Sequence, residues 1–287
     1  MQFYAGRFSL LPAKQSIFYE LGSEQKFDTI LHLLYQGAEF VSRGMSIIIE
    51  PLIGEDGNWM GGKIGKKAER ILPIKRDGHM VKSPETLYPH VLFTLIPEEQ
   101  LILIQRDRAV FSSDLLVFAL FEAFFEEKLL DKGLEVAILP LTTRGKFWSD
   151  VENAEKLYGV KFHLEMPNFL GDSEKGLKEA LENIKGRTNS NILDIGVSNK
   201  NGDLSITKDE STQAMVNWAE KGAGKWELTL KFPNWIKPKR IKSSDKMTTL
   251  SCCEETTAPV EPKTVIKEIK DHGELSALFI KKPTRSK

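Results

Sequence analysis

Residues Gly57 to Lys63, GNWMGGK, occupy the first seven places of the phosphate-binding pattern G-x-x-x-x-G-K, and they follow MSIIIEPLI, a β-branched stretch of strand character. A working loop of that kind needs a Ser or Thr after the lysine to hold Mg²⁺, and a helix whose first amides face the phosphates. Here Ile64 and then Gly65 follow, so the hydroxyl is missing and a helix start is disfavoured. Asp194 in NILDIG, preceded by only two apolar residues, makes a poor second Mg²⁺ aspartate. A nucleotide site is therefore not expected. What the stretch does carry is charge: Lys63, Lys66, Lys67, Arg70, Lys75 and Arg76, with Glu69 the one acid between 61 and 76. Glycines allow close approach to a backbone and lysines pair with phosphates at any sequence, so this segment reads as a basic, glycine-rich loop suited to nucleic acid.

A second cluster follows in KFPNWIKPKRIK, where Lys231, Lys237, Lys239, Arg240 and Lys242 stand without an acid. Trp235 in its middle either stacks on a base or anchors the chain to a core. Arg144 and Lys146 in TTRGKFW can join either group. Solvated, lysine-rich loops would account for each cluster alone. Lys plus Arg and Asp plus Glu are each 40, so no global positive field explains the clusters, and two of them in a neutral chain favour contact with the DNA phosphate backbone.

Catalytic chemistry finds little support. His32, His79, His90, His163 and His272 are scattered, and none has metal-ligand spacing to another His, Cys or carboxylate. There is no G-x-S-x-G, and Cys252 and Cys253 lack a nearby histidine. A metal-dependent nuclease would have to use Glu165 and Asp194, or Glu152 or Glu155 with Lys156, at spacings looser than such a site needs. No catalytic residue, metal or cofactor is assigned, and the nuclease stays as the enzymatic alternative.

Residues 1–11 read as a strand, and Gln25–Arg43 as a helix with Phe27, Ile30, Leu31, Leu34, Ala38 and Val41 on one face. Strands are expected at 45–53, 90–96 and 100–106, then a long helix from Ser112 to Lys132 stopped by Gly133. Its Leu115, Phe118, Phe121, Phe124 and Phe125 form either ordinary core or a surface for a second copy or partner, the third functional class. Beyond it, strands near 134–141, 160–166, 192–197, 204–206 and 226–232 alternate with helices near 147–158, 172–185 and 211–221. The fold class is α+β: two α/β lobes with mixed sheets and packed helices, at 1–110 and 111–232, and a basic then polar, largely disordered tail at 233–287. The tail's end, with Val265, Ile266, Ile269, Leu275, Leu278 and Ile280, could dock on a partner. No signal peptide or membrane span is read, since LLVFALFEAFF is short and carries Glu122. Adjacent cysteines in a polar segment fit a reducing, cytoplasmic setting.

The order HVLFTLIPEEQLILIQR, long helix, LEVAILPLT, helix, GVKFHLEMPNF, helix, NILDIGVSNKNGDLSIT resembles the RexA-type phage-exclusion proteins over residues 90–232, and more loosely the DNA-binding subunit of the Kiwa antiphage system. The resemblance implies a cytoplasmic antiviral-defence protein, a homodimer binding duplex DNA with little sequence preference beside a membrane-bound partner. It also implies a two-lobed architecture like that of the ring-forming RdgC proteins. The segment 167–187 departs from it: Lys175, Lys178, Lys185 and Arg187 alternate with Asp172, Glu174, Glu179 and Glu182, so no contact residue carries over there.

Overall fold

The computed structural model describes residues 1–12, 23–53, 60–96, 100–129, 132–165, 175–188 and 190–251. The protein is α+β and divides into two compact units, Met1–Phe3 with Pro12–Val136 and Tyr4–Leu11 with Ala137–Ser251. The first unit therefore extends past residue 110 and takes in the long helix, for a reason found in its aromatic packing.

In the first unit, helix α1 (Ser23–Tyr35) precedes strands β2 (Ala38–Ser42), β3 (Met45–Ile53), β4 (Met60–Lys66), β7 (His90–Ile96) and β8 (Leu101–Gln105); β1 (Gln2–Pro12) lies mostly in the second unit. These five strands run in the order β8-β7-β4-β3-β2, and each neighbouring pair is antiparallel. The helix expected to continue to Arg43 stops at Tyr35. Gly37 adopts φ 63 and donates its N–H to the Leu34 carbonyl, which closes the helix in the left-handed conformation glycine tolerates. Ala38–Ser42 then pairs with β3 instead.

The glycine-rich stretch expected as a loop is strand β4 from Met60 onward, held between β3 and β7; residues 54–59 lie outside the described residues. The glycines here serve packing. A Cβ at Gly62 would collide with the Glu50 carbonyl oxygen and come within 2.7 Å of the Phe93 ring. That ring meets Phe121 edge-on with centroids 5.0 Å apart. Phe121 sits on α2 (Asp114–Leu129), whose Phe118, Phe124 and Phe125 are buried too, Phe124 lying 5.7 Å from Phe40 of β2. The long helix buries Val117, Phe118, Leu120, Phe121, Phe124 and Phe125 and leaves Glu126, Glu127 and Lys128 in solvent; of its expected docking residues only Leu115 is exposed.

In the second unit β1 pairs with β14 (Thr249–Ser251) and with β9 (Leu134–Pro140). A four-stranded antiparallel sheet, β11-β10-β12-β13, is built from β10 (Lys156–Glu165), β11 (Ile192–Ser198), β12 (Gly224–Lys231) and β13 (Lys239–Lys242). Its inner face contributes Val160, Phe162, Leu164, Trp226, Leu228 and Leu230 to a core shared with Leu181 of α4 (Lys175–Thr188) and Val216 and Trp218 of α5 (Glu210–Trp218). The region after Pro233, expected to open the disordered tail, is structured to Ser251: Ile241 and Leu250 are buried, and β13 is held by β12. Trp235 against the core and the pairing of β14 with β1 add to these anchors of the polar stretch. The rest of the tail lies outside the described residues.

Helix α3 (Lys146–Glu152) starts at Gly145, which has no side chain with which to cap it. Glu220, in the π-helical turn Ala219–Ala223, supplies the acceptor: the Gly145 N–H donates to its Oε1 at 3.0 Å. Burial outweighs that bond and the nearby Arg144 charge, and pushes the Glu220 carboxyl up from 4.5 to about 7. The fold thus holds this proton more tightly than the unfolded chain does. Stability should be greatest below pH 4.5 as far as this group is concerned, and fall as pH rises towards 7. Thermal melts across that range should show the fall, and Glu220→Gln should flatten it. Gly62→Ala should cost about 1–3 kcal/mol in denaturant unfolding, because the Phe93 ring and a strand backbone must both shift.

Candidate nucleic-acid interface

Strands β5 (Ala68–Arg76) and β6 (His79–Leu87) form a separate two-stranded antiparallel ribbon of nine residue pairs. At about 3.4 Å per residue it is roughly 30 Å long. Its turn is Asp77-Gly78 with φ 51 and 84, the left-handed pair that a two-residue hairpin of matching twist requires. Its root is tied to the first unit's sheet: the Lys66 N–H donates to the Pro89 carbonyl at 3.1 Å and the Lys67 N–H to Ser46 at 2.9 Å.

The register sorts the cations by face. Glu69, Ile71, Pro73 and Lys75 lie across from Thr86, Pro84, Lys82 and Met80. All eight of these residues are exposed, with Ile71 70% and Met80 78% accessible. The other face carries Arg70, Arg76 and His79 in the open, while Leu72, Ile74, Ser83 and Glu85 are half-buried. Hydrogen-bonded pairs alternate with non-bonded ones outward from the closing pair Arg76–His79, so Pro73 and Pro84 fall at non-bonded positions, where a backbone N–H would point away from the ribbon. Each edge therefore lacks a donor that an added strand would need. The ribbon is built to stay two-stranded.

The first expected cluster separates accordingly. Lys63 and Lys66 belong to β4: Lys63 pairs with Glu50 at 3.5 Å, and Lys66 lies over the Phe111 ring at 5.7 Å. Lys67, 3.9 Å from Glu69, marks the ribbon's root, and Arg70, Lys75 and Arg76 stand on it. Lys82 completes the set. Between Pro73 and Lys82 there are three cations and one acid, Asp77.

The second cluster belongs to the other unit. Trp235 is an anchor: it is half-buried, meets Phe232 edge-on with centroids 4.8 Å apart, and packs against the second unit's core. Lys239 lies over its ring at 4.8 Å, Arg240 pairs with Glu227 at 3.1 Å, and Lys231 with Glu155 at 2.8 Å. Lys237 is exposed, and Lys242 is exposed on β13. Arg144 and Lys146 stand at the start of α3, Arg144 beside Glu220. The outer face of the four-stranded sheet adds Lys161 and Lys225, which alternation along β10 and β12 places there.

Glu165 and Asp194, the pair that the nuclease alternative would use, are not brought together. The Asp194 carboxylate meets the His163 Nδ1 at 3.0 Å and the Lys161 ammonium at 3.7 Å, and the imidazole bond chiefly holds it below the usual carboxylate range. Glu165 is buried and lies opposite Ile192. Among the described residues no three His, Cys, Asp or Glu side chains are placed to hold a metal. No helix there is long and apolar enough to cross a membrane.

Fold and site define an α+β protein with a separate two-stranded ribbon that carries Arg70, Lys75, Arg76 and Lys82 in the open. A family model described as a domain of unknown function, DUF4747, matches residues 48–248, more than two thirds of the chain, and the protein belongs to that family. The matched span contains the whole ribbon and both basic clusters. No curated protein matches the chain.

Trp235→Ala should lower stability by on the order of 2 kcal/mol, since about half of a buried tryptophan's contacts are removed. Calorimetry would show this as a reduced melting temperature. An unchanged melting temperature together with lost DNA binding would assign Trp235 to base stacking.

Proposed function

We propose that the protein is a non-enzymatic, sequence-tolerant DNA-binding component of an antiphage defence or exclusion system. The observation that carries the DNA-binding part is the cationic ribbon: Arg70, Lys75, Arg76 and Lys82 project from a narrow, edge-protected hairpin of a chain with no net charge. A two-stranded ribbon fits a DNA groove, and cations on both faces can reach the phosphates on either side of it. Contacts from these cations to backbone phosphates carry no sequence information, so they position rather than specify. The defence role rests on the likeness of residues 90–232 to the RexA-type proteins, as do a dimeric state and a partner protein at the membrane.

Anisotropy titrations on unrelated duplexes test the binding. With Lys67 counted, about five phosphate contacts predict a slope of log affinity against log salt near −4.5. Lys75→Glu combined with Lys82→Glu should weaken binding at every sequence and flatten that slope by about two. Binding that ignores salt, or that survives the double substitution intact, would overturn the proposal.

A further inference from the structure

Electrostatics leaves one feature of the ribbon unexplained. The fully exposed face carries Met80 and Ile71, two of the most exposed large apolar side chains among the described residues, interleaved with Lys75 and Lys82. Apolar surface on a free hairpin is unfavourable in water, and lysines alone would serve phosphate contact and solubility better. Strand addition is hindered, because Pro73 and Pro84 each remove one outward N–H from an edge.

Resting on the DNA-binding reading above, we infer that the ribbon's open face is a wedge: Lys75 and Lys82 grip the phosphates flanking the minor groove while Met80 enters between base pairs and kinks the duplex. Met80 lies directly across from Lys75, in the pair next to the closing pair Arg76–His79, so it is the apolar residue nearest the tip on the open face. Its unbranched thioether chain is exposed and unpacked, which lets it fill the irregular gap of an opened step. Apolar side chains used in this way unstack a step and bend DNA towards the major groove by about 20–90°. The preferred ligand is then duplex DNA with an easily opened step, since unstacking is the main cost.

The test uses the full chain and a 30-base-pair-scale duplex carrying a fluorescence donor and acceptor at its ends. Anisotropy reads binding, and energy transfer reads bending. The wild-type protein should raise energy transfer on binding and favour a duplex with a central two-base mismatch by about tenfold. Met80→Ala should lose both the rise and the preference, while Met80→Leu should restore them. Binding without a change in transfer, or bending that persists in Met80→Ala, would overturn the wedge and leave the phosphate-binding ribbon standing. Failure of the wild type to bind duplex at low salt would overturn both.

Discussion

The missing Cβ at Gly62 is the constraint from which the first unit is organised. Without it the Phe93 ring packs closely against β4 at Gly62, and Phe121 of α2 meets that ring edge-on. A methyl group there would separate β4 from its neighbours or displace the helix. The strand so fixed runs to Lys66, and β7, which begins at His90, is paired with it down to Gly65. A Cβ at Gly65 would meet the Pro89 carbonyl at 3.0 Å, so the same close approach recurs at the root of the ribbon. The projecting hairpin is thus a continuation of the β4–β7 pair, and its direction is set by packing far from its charged end.

Charge is partitioned along this scaffold. Several lysines and arginines on the body of either unit are paired: Lys63 with Glu50, Arg240 with Glu227, Lys231 with Glu155, and Arg106 and Arg108 with Asp114. Such exposed pairs add little stability, but they leave little net field. On the distal ribbon Asp77 is the one acid among the cations, and it sits at the turn. A protein with balanced charge can in this way present a local positive surface, because screening over about 8–10 Å isolates the ribbon from acids elsewhere.

The second unit handles polarity differently. The Glu220 carboxylate is drawn into the interior to cap a helix whose own N-cap is a glycine, so a local deficit of hydrogen bonding is met from 75 residues away in sequence. The sheet's outer face spends its charged residues on each other, as in the His163–Asp194–Lys161 group. These groups are open to solvent and stabilise one another, which is why Asp194 is engaged rather than poised with Glu165.

Much of this was legible in the linear chain. The α+β class, the strands at 90–96 and near 101–105, the phenylalanine-rich helix and the cationic residues follow from composition, periodicity and Gly/Ser/Asp punctuation, which are local properties. The ribbon was only partly legible. Asp77-Gly78 between alternating residues is a hairpin signal, but Pro73 and Pro84 within the runs argue against strands, and their tolerance depends on each strand's having a free edge. Likewise, a glycine-rich basic segment reads as a loop until Phe93 is brought against it, and Trp235 reads equally as stacker or anchor until Phe232 and the core are in place. Residue types and spacing determined which groups were available for phosphate contact. Which of them share a face, which are neutralised by a neighbour and which stand free in solvent was decided by strand register and packing alone, because those depend on contacts between residues that the chain places far apart.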